Sequence, residues 1–336
     1  MLIGKQTWSF VSGPRILGTG TVVGAKEGRG PLGDRFDLIH EDPYAGQESW
    51  EKAERKMLEQ AQEKAVLKAG LSMEAIDVMI AGDLLPQITS AGFAARTAGR
   101  PMLGVFSACA TSMQAVALAA ALVEAKAARY ALAATSSHNS SAERVFRFPT
   151  EYGGQKPPTA HCTVTGAGAA VVGAGMAGVR VTSATIGKVV DLGVKSPWEM
   201  GAAMAPAAVD TIVQHLADTG RSADDYDLIA TGDLARVGQP IAGELLSQRG
   251  IDLQDRFQDC GILMYDEHQP EVFSGGSGPA CCACVTFAHL LRQLEEGVYG
   301  RILVVATGAL LSPVTAQQHE TVPCVAHAVC FETGAS

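Results

Sequence analysis

The sequence predicts an α/β protein of two similar halves, residues 1–177 and 178–336, with buried helices sandwiched between two sheets in an α-β-α-β-α order. Three observations carry this. Tyr226 to Leu234 echoes Ile76 to Leu84 at an offset of 150, Val272-Phe273-Ser274 echoes Val105-Phe106-Ser107, and Arg301 to Thr307 echoes Arg129 to Thr135, in the same order along the chain. Each half alternates strand and helix patterns, which places helices over a largely parallel sheet. The runs after Ser112 and after Pro279 are apolar nearly all round, and such helices belong between two layers.

Pro14 to Val23 reads as a strand, followed by a Gly-, Pro- and Asp-rich loop from Lys26 to Gln47. Glu48 to Ala69 reads as a helix with Trp50, Ala53, Met57, Ala61 and Ala65 on one face and Gly70 as its stop. Ile76 to Ala81 is a strand that closes on Gly82-Asp83. A loop and a small helix lead to the turn from Gly104 to Ser112 and its apolar helix, Met113 to Val123. Arg129 to Thr135 is the next strand, and it runs into Ser136-Ser137-His138-Asn139. His161 to Val179, uncharged and broken by five glycines, reads as strand and turn. In the second half Ala207 to Ala217 is a helix with Pro206 near its start and Gly220 at its end. Pro279 to Leu294 is the second buried helix.

At 336 residues and 47% hydrophobic, the chain can bury a large core. A net charge of −9 without runs of like charge argues against a nucleic-acid partner. Met1 to Trp8 lacks the apolar stretch of a signal peptide, and no run approaches the roughly 20 apolar residues of a membrane span. Eight cysteines without an export signal read as reduced thiols of a cytoplasmic chain.

Chemistry points first to Cys109, a lone cysteine where a strand-like segment turns into the first buried helix. Backbone N–H groups at a helix start favour an anion, so a thiol there can have a lowered pKa. The competing reading is a buried cysteine that only fills space.

Cys109 at this turn, with Phe273-Ser274-Gly275-Gly276-Ser277-Gly278 as a second-half glycine turn, resembles the thiolase superfamily and its ketoacyl-condensing enzymes. Gly4-Lys5-Gln6-Thr7-Trp8, Ala81-Gly82-Asp83-Leu84-Leu85, Ala133 to Asn139, Pro149 to Pro157, Met204 to Ala208, Ala306 to Pro313 and Ala326-His327-Ala328-Val329 are similar to the stage V sporulation protein AD family along essentially the whole chain. The resemblance implies a five-layered thiolase-like fold and a homodimer paired through sheet edges. It also implies a role in uptake of dipicolinic acid into the forming spore. The family binds that acid, alone or as its calcium chelate, beside membrane proteins of the same operon, so the chain is expected at the periphery of the spore inner membrane.

Condensing enzymes set a His, and then a His or Asn, on two second-half turns opposite the cysteine. Here those turns read Thr231-Gly232-Asp233-Leu234 and Ser274-Gly275-Gly276-Ser277. The groups that manage protons in acyl transfer are missing, and a carboxylate near Cys109 raises its pKa. The expectation is a binding protein on an enzyme fold. The alternatives are an active acyltransferase using Cys109 with a base such as His327, and a non-binding scaffold for membrane partners.

The expected ligand-binding set is Cys109, His327, Asp83, Ser136, His138, Gly276 and Ser277. Asp83 and Asp233 end equivalent strands, and each is either a turn cap or a contact to calcium carried in by the chelate. His138 and His327 lie on apolar segments, where satisfaction by local partners is the ordinary outcome; His327 is the better placed for a pocket. Arg144, Arg147 and Lys156 among Phe146, Phe148 and Tyr152 suit either a carboxylate clamp with aromatic faces or a subunit contact. Cys281-Cys282-Ala283-Cys284 has no second cysteine pair and reads as core. Gly173 to Gly178 matches G-x-G-x-x-G but precedes a strand pattern, so it reads as a turn. Asp252, Asp255 and Asp259 lack EF-hand spacing and read as a solvated loop.

Overall fold

A computed structural model describes residues 1–146, 156–175 and 177–334. Its first nine strands are β1 (Leu2–Ile3), β2 (Thr7–Ser9), β3 (Arg15–Gly24), β4 (Leu38–His40), β5 (Val78–Gly82), β6 (Met102–Gly104), β7 (Tyr130–Ser137), β8 (His161–Thr163) and β9 (Gly166–Gly173). They are followed by β10 (Val179–Ile186), β11 (Leu228–Thr231), β12 (Phe257–Asp259), β13 (Gly275–Ser277), β14 (Arg301–Ala309) and β15 (Cys324–Glu332). The main helices are α1 (Trp50–Lys68), α2 (Thr89–Ala98), α3 (Thr111–Glu124), α4 (Asn139–Phe146), α5 (Met200–Thr219), α6 (Ala235–Ser247), α7 (Cys260–Met264) and α8 (Pro279–Val285). The last continues through a π-turn, Thr286–Leu290, into Leu291–Glu295.

The strands run in the order β12-β11-β14-β15-β10-β3-β9-β7-β5-β6, while β8 and β13 pair separately. At the centre of this order β10 and β3 share only two residue pairs, Val179 with Ile16 and Arg180 with Arg15. The path is therefore two five-stranded sheets joined at a seam. Helix α3 packs on β5, β7 and β9 on one side and on β14 and β15 on the other, so it lies between them. Helices α1 and α2 cover the first sheet from outside, and α5 covers the second with α6 packed against it. Every residue of α8 is buried, since it packs on β9, β7 and β3 of the first sheet and against α3 and α7.

The sheet is mixed rather than largely parallel. Strand β5 pairs in parallel with β6 and β7, as β11 does with β12 and β14, but β7–β9, β3–β9, β10–β15 and β14–β15 are antiparallel. Alternating patterns mark strands without fixing direction. Between β14 and β15 only a loop with the short helix Pro313–Gln317 intervenes, too little for the crossover that parallel neighbours need. The loop after Lys26 also holds β4, parallel to β3. Neither Val105 to Ser107 nor Val272 to Ser274 is a strand. Helix α5 begins at Met200 and carries Pro206 inside it.

Close packing needs glycine at one seam in particular. A Cβ on Gly20 of β3 would stand 2.1 Å from the Ala61 carbonyl oxygen, so the α1 backbone lies directly on the strand. Helix α1 itself starts at Ser49, whose hydroxyl accepts the Lys52 N–H at 3.2 Å. Among the described residues no helix is long and apolar enough to cross a membrane.

Candidate active-site cleft

The turn before α3 is built by Ala108 in the left-handed region, at φ 48°, which lifts Cys109 over the helix start. The Thr111 hydroxyl donates to the Ala108 carbonyl at 2.7 Å and accepts the Ser107 N–H at 3.0 Å, locking the turn. A Cβ on Gly308 of β14 would lie 2.3 Å from the Ser107 carbonyl oxygen, so that strand presses on the turn from behind.

The two second-half turns do face the cysteine. Cys109 Sγ lies 3.7 Å from Ser277 Oγ, and the Ser277 hydroxyl donates to Asp233 Oδ2 at 2.7 Å. Asp233 also accepts from the Thr307 hydroxyl at 2.6 Å and from the Gly278 N–H at 3.2 Å. Since the Ser277 proton is committed to Asp233, the Ser277 oxygen is an acceptor for the Cys109 S–H. Burial and then the Asp233 charge push the Cys109 thiol well above its ordinary value. The lowered pKa expected from the helix start is corrected: burial and the carboxylate outweigh the helix dipole. Burial likewise pushes the Asp233 carboxyl upward, against the pull of its hydrogen bonds to Thr307 and Ser277.

His327 sits on β15 beneath the turn. Its Nδ1 accepts the Gly187 N–H at 3.3 Å, so Nε2 carries the proton and donates to Ser107 Oγ at 3.0 Å. Burial lowers its pKa to about 4, leaving it neutral at pH 7. It supports the residue two before Cys109. Gly276 lies in β13, where a Cβ would come 3.1 Å from Cys281 Sγ.

Asp83, Ser136 and His138 belong to another buried network and do not line the Cys109 cavity. Asp83 accepts the Leu85 and Ala91 N–H groups at 2.8 and 2.7 Å, capping the chain into α2. His138 bridges the Pro43 carbonyl and the Ser140 N–H. Ser136 and Ser141 donate to the two oxygens of Glu54, at 3.0 and 2.9 Å. Burial, reinforced by the Asp83 charge, raises the Glu54 pKa from 4.5 to about 8. The folded state thus keeps a proton that the unfolded chain releases, and the stabilisation, complete below pH 4.5, is lost as pH rises toward about 8. Denaturation of wild type and Glu54→Gln at pH 5, 6, 7 and 8 is expected to show the wild type losing stability relative to the variant as pH rises, by up to ~1.4 kcal/mol per unit.

Asp259, read as part of a solvated loop, is corrected by its burial, while Asp252 and Asp255 are exposed. It ends β12 and its carboxylate ties down the Asp233 turn. Arg147, Phe148 and Tyr152 fall outside the described residues, as does Met176 between β9 and β10. The sequence reading missed Glu54, Glu143 and Thr307. Only Thr307 left a signal, as the counterpart of Thr135 in the repeat.

The cavity at Cys109, walled by Leu84, Glu143, Thr163, Met200, Ser277 and Leu311, measures about 30 Å³, room for about one water. Leu84 and Leu311 also wall an outer groove of about 540 Å³ with Ile88, Phe106, Val145 and Leu310, a volume ordinary for a small-molecule site.

A two-sheet sandwich of this layering with a cysteine at the head of its central helix defines a thiolase-like protein. Human mitochondrial 3-ketoacyl-CoA thiolase, solved with CoA, superposes with a TM-score of 0.61 at 14% identity, covering 97% of this chain and 99% of its own. The 3-oxoacyl-[acyl-carrier-protein] synthase III of Aquifex aeolicus VF5 gives 0.57 at 18%, over 95% and 100%. Residues 4–332 match the family described as stage V sporulation protein AD. The stage V sporulation protein AD of Bacillus subtilis (strain 168) is 53% identical over 331 residues, 98% of each chain. The chain belongs to the stage V sporulation protein AD family.

Proposed function

We propose that this protein binds dipicolinic acid, as its calcium chelate, and thereby serves uptake of the acid into the forming spore. The carrying observation is the chain Cys109–Ser277–Asp233, which withholds the thiol proton instead of removing it. Acyl transfer needs a base that takes the thiol proton and donors to the oxyanion; here the Asp233 carboxylate meets the thiol through Ser277 and, with burial, raises the thiol pKa instead of lowering it. That disfavours the acyltransferase reading and leaves recognition as the use of the cleft. The inner cavity is too small for a pyridine ring, so the ring belongs in the apolar outer groove with its polar end toward Cys109. We also read the free edge of β6, with Leu103 and Phe106 each 47% exposed, as the seat of a second copy, and the membrane proteins of the same operon as partners at the spore inner membrane.

Calorimetric titration with dipicolinate, with and without calcium, tests the reading on the wild type and on Leu84→Trp, which fills the passage between groove and cavity. Saturable heat in the wild type and its loss in the variant are expected, in a sample sedimenting at twice the chain mass. No heat with the wild type under either condition removes the proposal, and unchanged heat in Leu84→Trp leaves only the scaffold reading for the cleft.

A further inference from the structure

The hairpin β1–β2 ahead of β3 has no counterpart in the second half, where β10 follows soon after β9. It crosses to that half: Thr7, Trp8 and Ser9 pair with Thr185, Ala184 and Ser183 of β10. Asp218, in the last turn of α5, latches it there. Its carboxylate accepts the Lys5 and Gln6 N–H groups, both at 2.9 Å, and the Thr7 hydroxyl at 2.9 Å. Gly4 makes this cradle possible, since it lies at φ 58° and a Cβ on it would stand 2.1 Å from Asp218 Oδ1. These are the bonds of a joint that opens, because each trades against water at small net cost, and Met1 and Leu2 at the tip are exposed. Trp8 adds a partly buried apolar contact, and buried Phe10 anchors the chain behind it.

From this seat a continuous line of hydrogen bonds runs to the Cys109 turn. The Gln6 carbonyl accepts the Ile186 N–H at 3.0 Å, and Gln6 Nε2 donates to the Ile186 carbonyl at 2.9 Å. Ile186 is paired with His327 across β10 and β15, and the next N–H, that of Gly187, is the one His327 Nδ1 accepts. Nε2 then donates to Ser107 Oγ, two residues before Cys109. The line is tightly packed: a Cβ on Gly187 would meet the Ala326 carbonyl oxygen at 1.9 Å.

We infer that the hairpin is a strap with a seated and a lifted state, and that seating it fixes the Cys109 turn through Ile186, Gly187 and His327. Lifting it takes from Ile186 both bonds to Gln6, so the Gly187 N–H is no longer held against Nδ1. Nothing then selects the tautomer of His327 that donates to Ser107, and the turn loses its support from beneath. Asp218 and Gln6 are thus positioning residues that touch neither Ser107 nor Cys109. The coupling is carried by an element with two arrangements, and it holds whatever the cleft binds.

Hydrogen exchange followed by mass spectrometry on the full chain tests this in Asp218→Ala and in Gly4→Val, which unseats the strap by a different route. Exchange of residues 2–9 is expected to rise about tenfold or more in both. Exchange of residues 107–110 is expected to rise with it and Cys109 to react with iodoacetamide about threefold faster, while β5 keeps its protection. Ser107→Ala, which removes the last acceptor of the line, is expected to loosen the turn by itself, and adding Asp218→Ala to it to change residues 107–110 no further. Lost protection in β5 would mark a variant that is unfolded. Gln6→Ala, which removes only the side-chain bond to Ile186, then carries the test, with a smaller rise at 107–110 expected and none overturning the inference. A lifted strap with unchanged exchange at 107–110 overturns it, as do additive effects of Asp218→Ala and Ser107→Ala, or a strap that stays protected in both Asp218→Ala and Gly4→Val.

Discussion

Asp259→Ala is expected to remove roughly 3–5 kcal/mol of stability, the range for stripping a buried charged acceptor from its donors. Asp259 is 1% exposed. Its Oδ2 accepts from the Thr231 hydroxyl at 2.7 Å and the Leu234 N–H at 2.8 Å, and its Oδ1 from the Ala235 N–H at 2.9 Å and the Ile262 N–H at 3.2 Å. Alanine leaves the three backbone N–H groups without their acceptor, while the Thr231 hydroxyl keeps only the Gln258 carbonyl at 3.3 Å, and an unpaired buried donor costs about 1–3 kcal/mol. The loss is more than local. Ala235 is held in the left-handed region at φ 54°, a conformation alanine adopts only when its surroundings impose it, and the Asp259 carboxylate is what fixes its N–H. Freed of that tie, the turn relaxes and carries Asp233 away from Ser277. Asp259→Asn keeps one acceptor oxygen but turns an NH₂ toward two donors, so it is expected to fall between wild type and alanine. Urea denaturation of the three proteins measures the order; an alanine variant within about 1 kcal/mol of wild type would mean that other groups hold the turn.

The same turn shows what the residues disclosed in advance and what they did not. Gly82-Asp83 and Gly232-Asp233 repeat at an offset of 150, and the equivalence is real at the level of strands: β5 and β11 each pair in parallel with a later strand and with a short edge strand. Their side chains part company. Asp83 folds back onto N–H groups leading into α2, whereas Asp233 turns to Ser277 and Thr307 and leaves the capping of its own turn to Asp259. A repeat constrains the backbone, and a carboxylate rotates to whichever donors its half supplies. Cys109 was legible because a lone cysteine at a strand-to-helix turn has few other uses. Glu54 was not: its place four residues after Trp50 sets it beside the apolar face, but a glutamate among Glu51, Lys52 and Arg55 reads as solvated, and only the hydroxyls of Ser136 and Ser141, brought from β7 and the start of α4, make its burial tolerable. Glu143 was hidden for a related reason, since its partners Thr163 and Lys156 reach it only through the fold.

Cys109 is expected to alkylate about a hundredfold more slowly than an unhindered thiol at pH 8, because the thiolate is the reacting form and its fraction falls as the pKa climbs. Slowness alone would not separate electrostatics from burial, since all eight cysteines are buried free thiols. Two substitutions at Cys109's neighbours do. Asp233→Asn removes the anion that opposes the thiolate, so the rate is expected to rise about tenfold and the midpoint of its pH profile to move down. Ser277→Ala removes the oxygen that accepts the Cys109 S–H, 3.7 Å from the sulfur, but leaves the Asp233 carboxylate in place, so the rate is expected to rise less than in Asp233→Asn. Steric control predicts the larger rise for Ser277→Ala and nothing for the nearly isosteric Asp233→Asn. Site-resolved mass spectrometry after timed iodoacetamide exposure reads both. A wild-type Cys109 that alkylates as fast as an activated catalytic thiol would show that the Asp233 carboxyl is protonated and silent, and would return the acyltransferase reading to first place. A larger rise in Asp233→Asn than in Ser277→Ala would instead show a thiol kept protonated by the Asp233 carboxylate.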